Sequence, residues 1–189
     1  MGLFDNLRYD IDWKLKDKES KRRLDELTKT FDKIEWNDGG SLSSFIGIQK
    51  ADIKHQRLFS VVIKGLVVHG RINHIFYPRD KSDPSSKDVK YFTFIAAVDI
   101  GTGNHSWPSG LGYDRNASPV RFGFEFDTFE VFGGSFHSNY IFKIDKDYPD
   151  SIADDPKAAK DAMEDFLMAC TITISENEET ILSLKPQKT

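Results

Sequence analysis

The chain has 189 residues, 39% of them hydrophobic and 30% charged, with a formal charge of −4. Its 15 Phe, 6 Tyr and 3 Trp supply enough burial to exclude disorder of the whole chain, and the length is ordinary for one domain, 1–189. A mildly acidic total argues against wholesale nucleic-acid or bilayer binding, and no run of about 18 apolar residues marks a membrane span.

Cys170 is the single cysteine, so no internal disulfide can form, and Met1 to Asp5 carries no basic, apolar leader; both features point to a cytoplasmic protein. Charge is unevenly spread. Residues 1–35 hold 9 basic and 9 acidic groups, residues 36–90 hold 9 and 5, and residues 91–189 hold 8 and 16. The middle is basic and the end acidic, which fits solvated faces or a polar molecule with one basic contact patch.

In chain order, Tyr9, Ile11, Trp13 and Leu15 alternate with charges, which predicts a strand at about 8–16. Leu24, Leu27, Phe31 and Ile34 then recur at three- and four-residue steps and predict a helix at about 18–34, ended by Asn37-Asp38-Gly39-Gly40. Residues 42–49 are a weak strand candidate. Leu58 to Ile63 and Leu66 to Val68 are β-branched and strand-like, and His69-Gly70 sits where a tight reversal would feed Ile72 to Tyr77. A polar loop, Pro78 to Lys87, leads to a strand from Tyr91 to Val98.

The connection from Gly101 to Pro119 holds four glycines and exceeds the length at which structureless loops become uncommon, about 12–15 residues. After it, Val120, Phe122, Phe124 and Phe126 share one strand face while Arg121, Glu125 and Asp127 share the other. Tyr140 to Ile144 is a further strand, followed by an acidic turn region from Asp145 to Asp155. Pro156, preceded by Asp154 and Asp155, opens a helix at about 156–168. Thr171 to Ile174 and Thr180 to Leu184 predict a closing hairpin, and residues 185–189 a loose tail. The fold class is therefore α+β: a single domain, mainly an antiparallel β-sheet or sandwich, with one helix near each end.

Three groups of residues bear on function. Asn104, His105, Trp107, Tyr113 and Arg115 in the long loop are suited to recognition, since aromatics and Arg dominate binding hot spots. The loop completes no nucleotide fingerprint. Glu125 and Asp127, about 7 Å apart on one strand face, can reach one hard divalent cation, with His137 and Asp99 added from neighbouring segments; solvated carboxylates paired with Arg121 are the plainer expectation. The basic stretch at 54–79 joins Lys64, Arg71 and Arg79 with His55, His69 and His74 beside Phe76 and Tyr77, as single-stranded nucleic-acid binding requires. Cys170 ends an apolar helix face and is expected to be a buried, inert thiol. No Gly-x-Ser-x-Gly elbow marks a hydrolase.

Phe124-Glu125-Phe126-Asp127-Thr128-Phe129 resembles the Glu-x-Asp-Thr strand of the L-type lectins. The resemblance implies a sugar-binding β-sandwich in which Glu125, Asp127 and His137 would hold metal ions. Val131 and Phe132 stand near where that family supplies an Asn. With no catalytic motif, the first expectation is a non-enzymatic protein of inhibitor, immunity or adaptor type, possibly encoded by a phage or mobile element. It would bind another protein through the 101–119 loop and adjacent sheet, with no cofactor. A carbohydrate- or metal-binding module, a metal-assisted enzyme and a nucleic-acid binder are the alternatives.

Overall fold

A computed structural model of the chain describes residues 3–34, 48–49, 56–79, 85, 87–101, 119–131 and 134–185. The fold is α+β. Helix α1 (Leu3–Phe31) precedes six strands: β1 (Ile48–Gln49), β2 (Gln56–Ile63), β3 (Leu66–Tyr77), β4 (Val89–Gly101), β5 (Val120–Val131) and β6 (Gly134–Pro149). A 3-10 turn (Asp150–Asp154), helix α2 (Pro156–Glu176) and helix α3 (Glu178–Leu184) close the chain. The strands form one antiparallel sheet in the order β1-β2-β3-β4-β6-β5. Among the described residues no helix is long and apolar enough to cross a membrane.

The helices cover one sheet face, where Phe59, Val68, Ile72, Phe92, Phe94, Phe142 and Ile144 meet Leu24, Leu27, Phe31, Met163 and Phe166 in the main core. Phe166 stands edge-on to Phe59 and Phe94, with ring centroids 6.2 and 5.7 Å apart. On the other face a smaller cluster, Ile95, Ala97, Phe129 and Ile141, is also buried. Phe129 reaches it because the β5–β6 hairpin curls over the sheet, with register shifts between Asp99 and Gly101 and between Asp127 and Phe129; extra residues bend a strand in this way. The Arg71 guanidinium of β3 lies 4.5 Å from the Phe129 ring centroid. One sheet backed by helices replaces the sandwich that the lectin resemblance implied.

Several boundaries differ from the sequence reading, each for a physical reason. The strand expected at 8–16 lies within α1. Leu7, Ile11 and Leu15 also recur at four-residue steps, so the same residues carry a helical period that the local alternation masks. The β2–β3 turn is at Lys64-Gly65, whose φ values of 50° and 75° suit a tight hairpin, and His69-Gly70 lies inside β3. Gly70 is needed there for space, because the Phe59 ring lies across it.

Residues 145–149, read as part of an acidic turn, continue β6; Asp145 and Asp147 are accepted in a strand because Arg121 of β5 bonds both. The closing hairpin is helical. Thr173 and Ile174 continue the buried stripe of Phe166, Leu167 and Cys170, so packing overrides the β-propensity of Thr171 to Ile174. The Thr171 and Ser175 hydroxyls donate to carbonyls four residues back. The α2 start is as expected: Pro156 is the first helical residue, and the Asp155 carboxylate accepts from the Lys157 amide at 3.0 Å.

Candidate functional site

Of the residues singled out in the sequence, Asn104, His105, Trp107, Tyr113 and Arg115 lie outside the described residues, as does His55. Glu125 and Asp127 do share the sheet face opposite the helices. Each carboxylate there has a cation: Lys143 donates to Glu125 at 2.7 Å, and Arg71 lies 3.6 Å from Asp127. Arg121 forks onto Asp147 at 2.8 Å and also bonds Asp145. Asp99 accepts from the Asn139 amide and the Gly101 N–H. The His137 backbone belongs to β6, and its side chain is outside the described residues. Among the described residues no group of three or more His, Cys, Asp or Glu is placed to hold a metal ion. Chemically, this face is a lattice of ion pairs that ties β3, β5 and β6 together.

The basic stretch at 54–79 does not form one patch. Lys64 is at one end of β3, paired with Glu178 of α3. Arg71 faces the ion-pair lattice, His74 faces the helices, and Arg79 follows the other end of β3. Cys170 is fully buried, and that burial pushes its thiol pKa up, so it is not an activated nucleophile.

A cleft of about 530 Å³ lies between α1 and the ends of β3 and β4, a size that suits ligand pockets of roughly 300–1,000 Å³. Its α1 wall is Leu15, Lys18, Glu19 and Arg22, which sit at i, i+3, i+4 and i+7 and therefore on one helix face. Phe76, Pro78 and Arg79 follow β3 around the opposite wall, with Asp88 and Lys90 beside them. Leu15, Phe76 and Pro78 supply the apolar surface, and Leu15 is 56% exposed.

Four cations and two carboxylates surround that surface. Arg22 forks onto Glu19 at 2.9 Å, and Lys90 reaches the same carboxylate at 2.7 Å. Arg22, with Lys90, holds the Glu19 pKa down to about 2, against an opposing contribution from burial. Lys90 also lies 4.8 Å from the Phe76 ring centroid, within cation–π range. Asp88 accepts from the Arg79 backbone N–H at 2.9 Å and closes the strand ends. Among the described residues, neither Lys18 nor the Arg79 guanidinium has an ion-pair partner.

Across α1, a recess of about 250 Å³ contains Ser20 and His74. Ser20 Oγ is 3.1 Å from His74 Nδ1, and His74 Nε2 is 2.9 Å from Asp150. A neutral imidazole fits this chain, with Nε2–H donating to Asp150 and Nδ1 accepting the Ser20 hydroxyl proton. Burial is the main cause that lowers the His74 pKa, and Arg23 adds to it; Asp150 and Glu19 oppose.

Hydroxyl, imidazole and carboxylate in series have the order of a nucleophile relay. Here, however, Asp150 is also held by Arg23 at 2.8 Å, and Ser20 lies inside α1, where helical bonding occupies the amides an oxyanion hole needs. Arg23 further bonds Asp154 at 2.8 Å. The cluster is a polar staple that fixes α1 to the 3-10 turn and thereby sets the position of the cleft wall.

The chain matches no known protein family, no curated protein and no solved structure. The cleft is not legible in the sequence, because local alternation places Leu15 in a strand and Lys18, Glu19 and Arg22 in a separate helix. The signal that reveals it is their common helical face, and what cannot be read from the sequence is its juxtaposition with Phe76 and Arg79, more than fifty residues away.

Proposed function

We propose that the protein is a non-enzymatic binding protein, of inhibitor or adaptor type, whose α1/β3–β4 cleft takes an acidic segment of another protein. The observation that carries this reading is the cleft itself: an apolar surface ringed by four cations and two carboxylates, with Lys18 and Arg79 free of ion partners among the described residues. An apolar side chain seated against Leu15, Phe76 and Pro78 gains about 1.5–3 kcal/mol if fully buried. Carboxylates beside it meet Lys18 and Arg79, which favours specificity and fast encounter. Glu19 compensates Arg22 and Lys90, which leaves two isolated cations among the described residues, Lys18 and Arg79, beside an apolar surface. That suits a short acidic and apolar protein segment better than a continuous polyphosphate backbone, which calls for a run of basic contacts. The lone, buried Cys170 accords with a reducing compartment.

Fluorescence polarisation with a short labelled peptide, one leucine flanked by glutamates, tests the reading. Salt-sensitive binding is expected, weakened about tenfold by Arg79→Glu or by replacing the peptide leucine with serine. Absence of binding, or binding unchanged in Arg79→Glu, overturns it. Tighter, steeply salt-dependent binding of an oligothymidylate would favour the nucleic-acid reading instead.

A further inference from the structure

The ligand chemistry that suits the cleft is present on the chain's own surface. At the α2–α3 corner Glu176, Glu179 and Leu182 are exposed, with Glu178 half-buried beside them. Leu182 is 51% exposed, and Glu179 precedes it by one helical step of three, so carboxylate and apolar group share a face. Lys64 compensates Glu178. Glu176 and Glu179 have no cation partner among the described residues.

This corner is held at the Lys64 end of β3, whereas the cleft opens at the Phe76–Arg79 end. Twelve strand residues, at about 3.3 Å each, put the two ends about 40 Å apart. One copy therefore cannot fill its own cleft with its own corner.

We infer that the cleft of one copy receives the α2–α3 corner of a second copy, with Leu182 against Leu15 and Phe76 and Glu179 facing Arg79 and Lys18. The inference rests on the proposed reading of the cleft as a site for acidic, apolar segments. Its contact is heterologous, joining two different surfaces, so each surface can be disabled separately.

Sedimentation velocity on the full chain, over a concentration series at low and high salt, tests it. The weight-average sedimentation coefficient should rise with concentration at low salt and lose most of that rise at high salt. Arg79→Glu and Glu179→Lys should each weaken association about tenfold. Mixing the two variants should restore it, because the intact corner of Arg79→Glu meets the intact cleft of Glu179→Lys. The rescue also shows that neither variant is merely misfolded.

A wild-type chain that stays monomeric at every concentration, while the labelled glutamate-leucine peptide still binds, overturns self-association and leaves the proposed reading standing. Loss of peptide binding as well overturns both. Association that survives Arg79→Glu, or a mixture that fails to restore it, places the contact elsewhere and overturns the inference.

Discussion

Gly70→Ala should unfold the protein more easily because of where Phe59 lies. A Cβ built on Gly70 meets the tip of the Phe59 ring at 2.0 Å, with its flanking carbons at 2.2 and 2.3 Å. Carbon atoms pack at about 3.5 Å or more, so the ring must retreat by about 1.5 Å. It has little room to do so: Phe59 is 1% exposed and stands edge-on to the equally buried Phe166. Overpacking of this kind costs about 1–3 kcal/mol, and the immobile neighbours put Gly70→Ala near the upper end. Gly70 has no positive φ, so the folded-state penalty is steric, offset in part by the about 0.4–1 kcal/mol gained when alanine restricts the unfolded chain. Urea unfolding monitored by circular dichroism gives the free energy by linear extrapolation. Phe59→Leu removes the ring tip and should relieve part of the clash, making the double variant about 1 kcal/mol more stable than the two single effects sum to. A Gly70→Ala variant within about 0.5 kcal/mol of wild type would refute the packing of Phe59 on Gly70.

Two further outcomes concern the polar staple beneath α1. Arg23→Ala leaves Asp150, Asp154 and Glu26 without their shared cation; the expected loss is about 3 kcal/mol, the low end for breaking a buried pair, because Asp154 can rehydrate. Urea unfolding checks it, and a loss under about 1 kcal/mol would contradict a structural role for the staple. His74 has a folded pKa below its ordinary 6.5, so unfolding at mildly acid pH takes up a proton. Stability should be full above pH 6.5 and fall as pH drops through that value toward the folded pKa, and His74→Gln should flatten this slope below pH 6.5. A wild-type slope unchanged in His74→Gln would reject the assignment.

Much of the sheet was legible in the sequence, because Leu58 to Ile63, Tyr91 to Val98 and Val120 to Thr128 combine β-propensity with alternation or continuous burial. The helix start at Pro156 was legible from its cap. Where two periods coexist, local pattern misled: Tyr9 to Leu15 alternates yet is helical, and Thr171 to Ile174 is β-branched yet completes the buried stripe of α2. Gly70 showed a different limit, since a glycine kept for space has the same letter as one kept for a turn. Of the candidate site, the face shared by Glu125 and Asp127 was readable from strand period; their cations Lys143 and Arg71 come from other strands and were not. The cleft depends on α1 crossing the end of β3, a tertiary relation fixed by Arg23, His74 and Asp150 and invisible to any local window.

The most direct test of the proposed cleft is a ¹H–¹⁵N correlation titration of the full chain with the glutamate-leucine peptide. Amide shifts should concentrate at Leu15 to Arg22, Phe76, Arg79 and Lys90, and should vanish in Arg79→Glu. Shifts confined to the Glu125–Asp127 face, or none at saturating peptide, would contradict the cleft as the binding site.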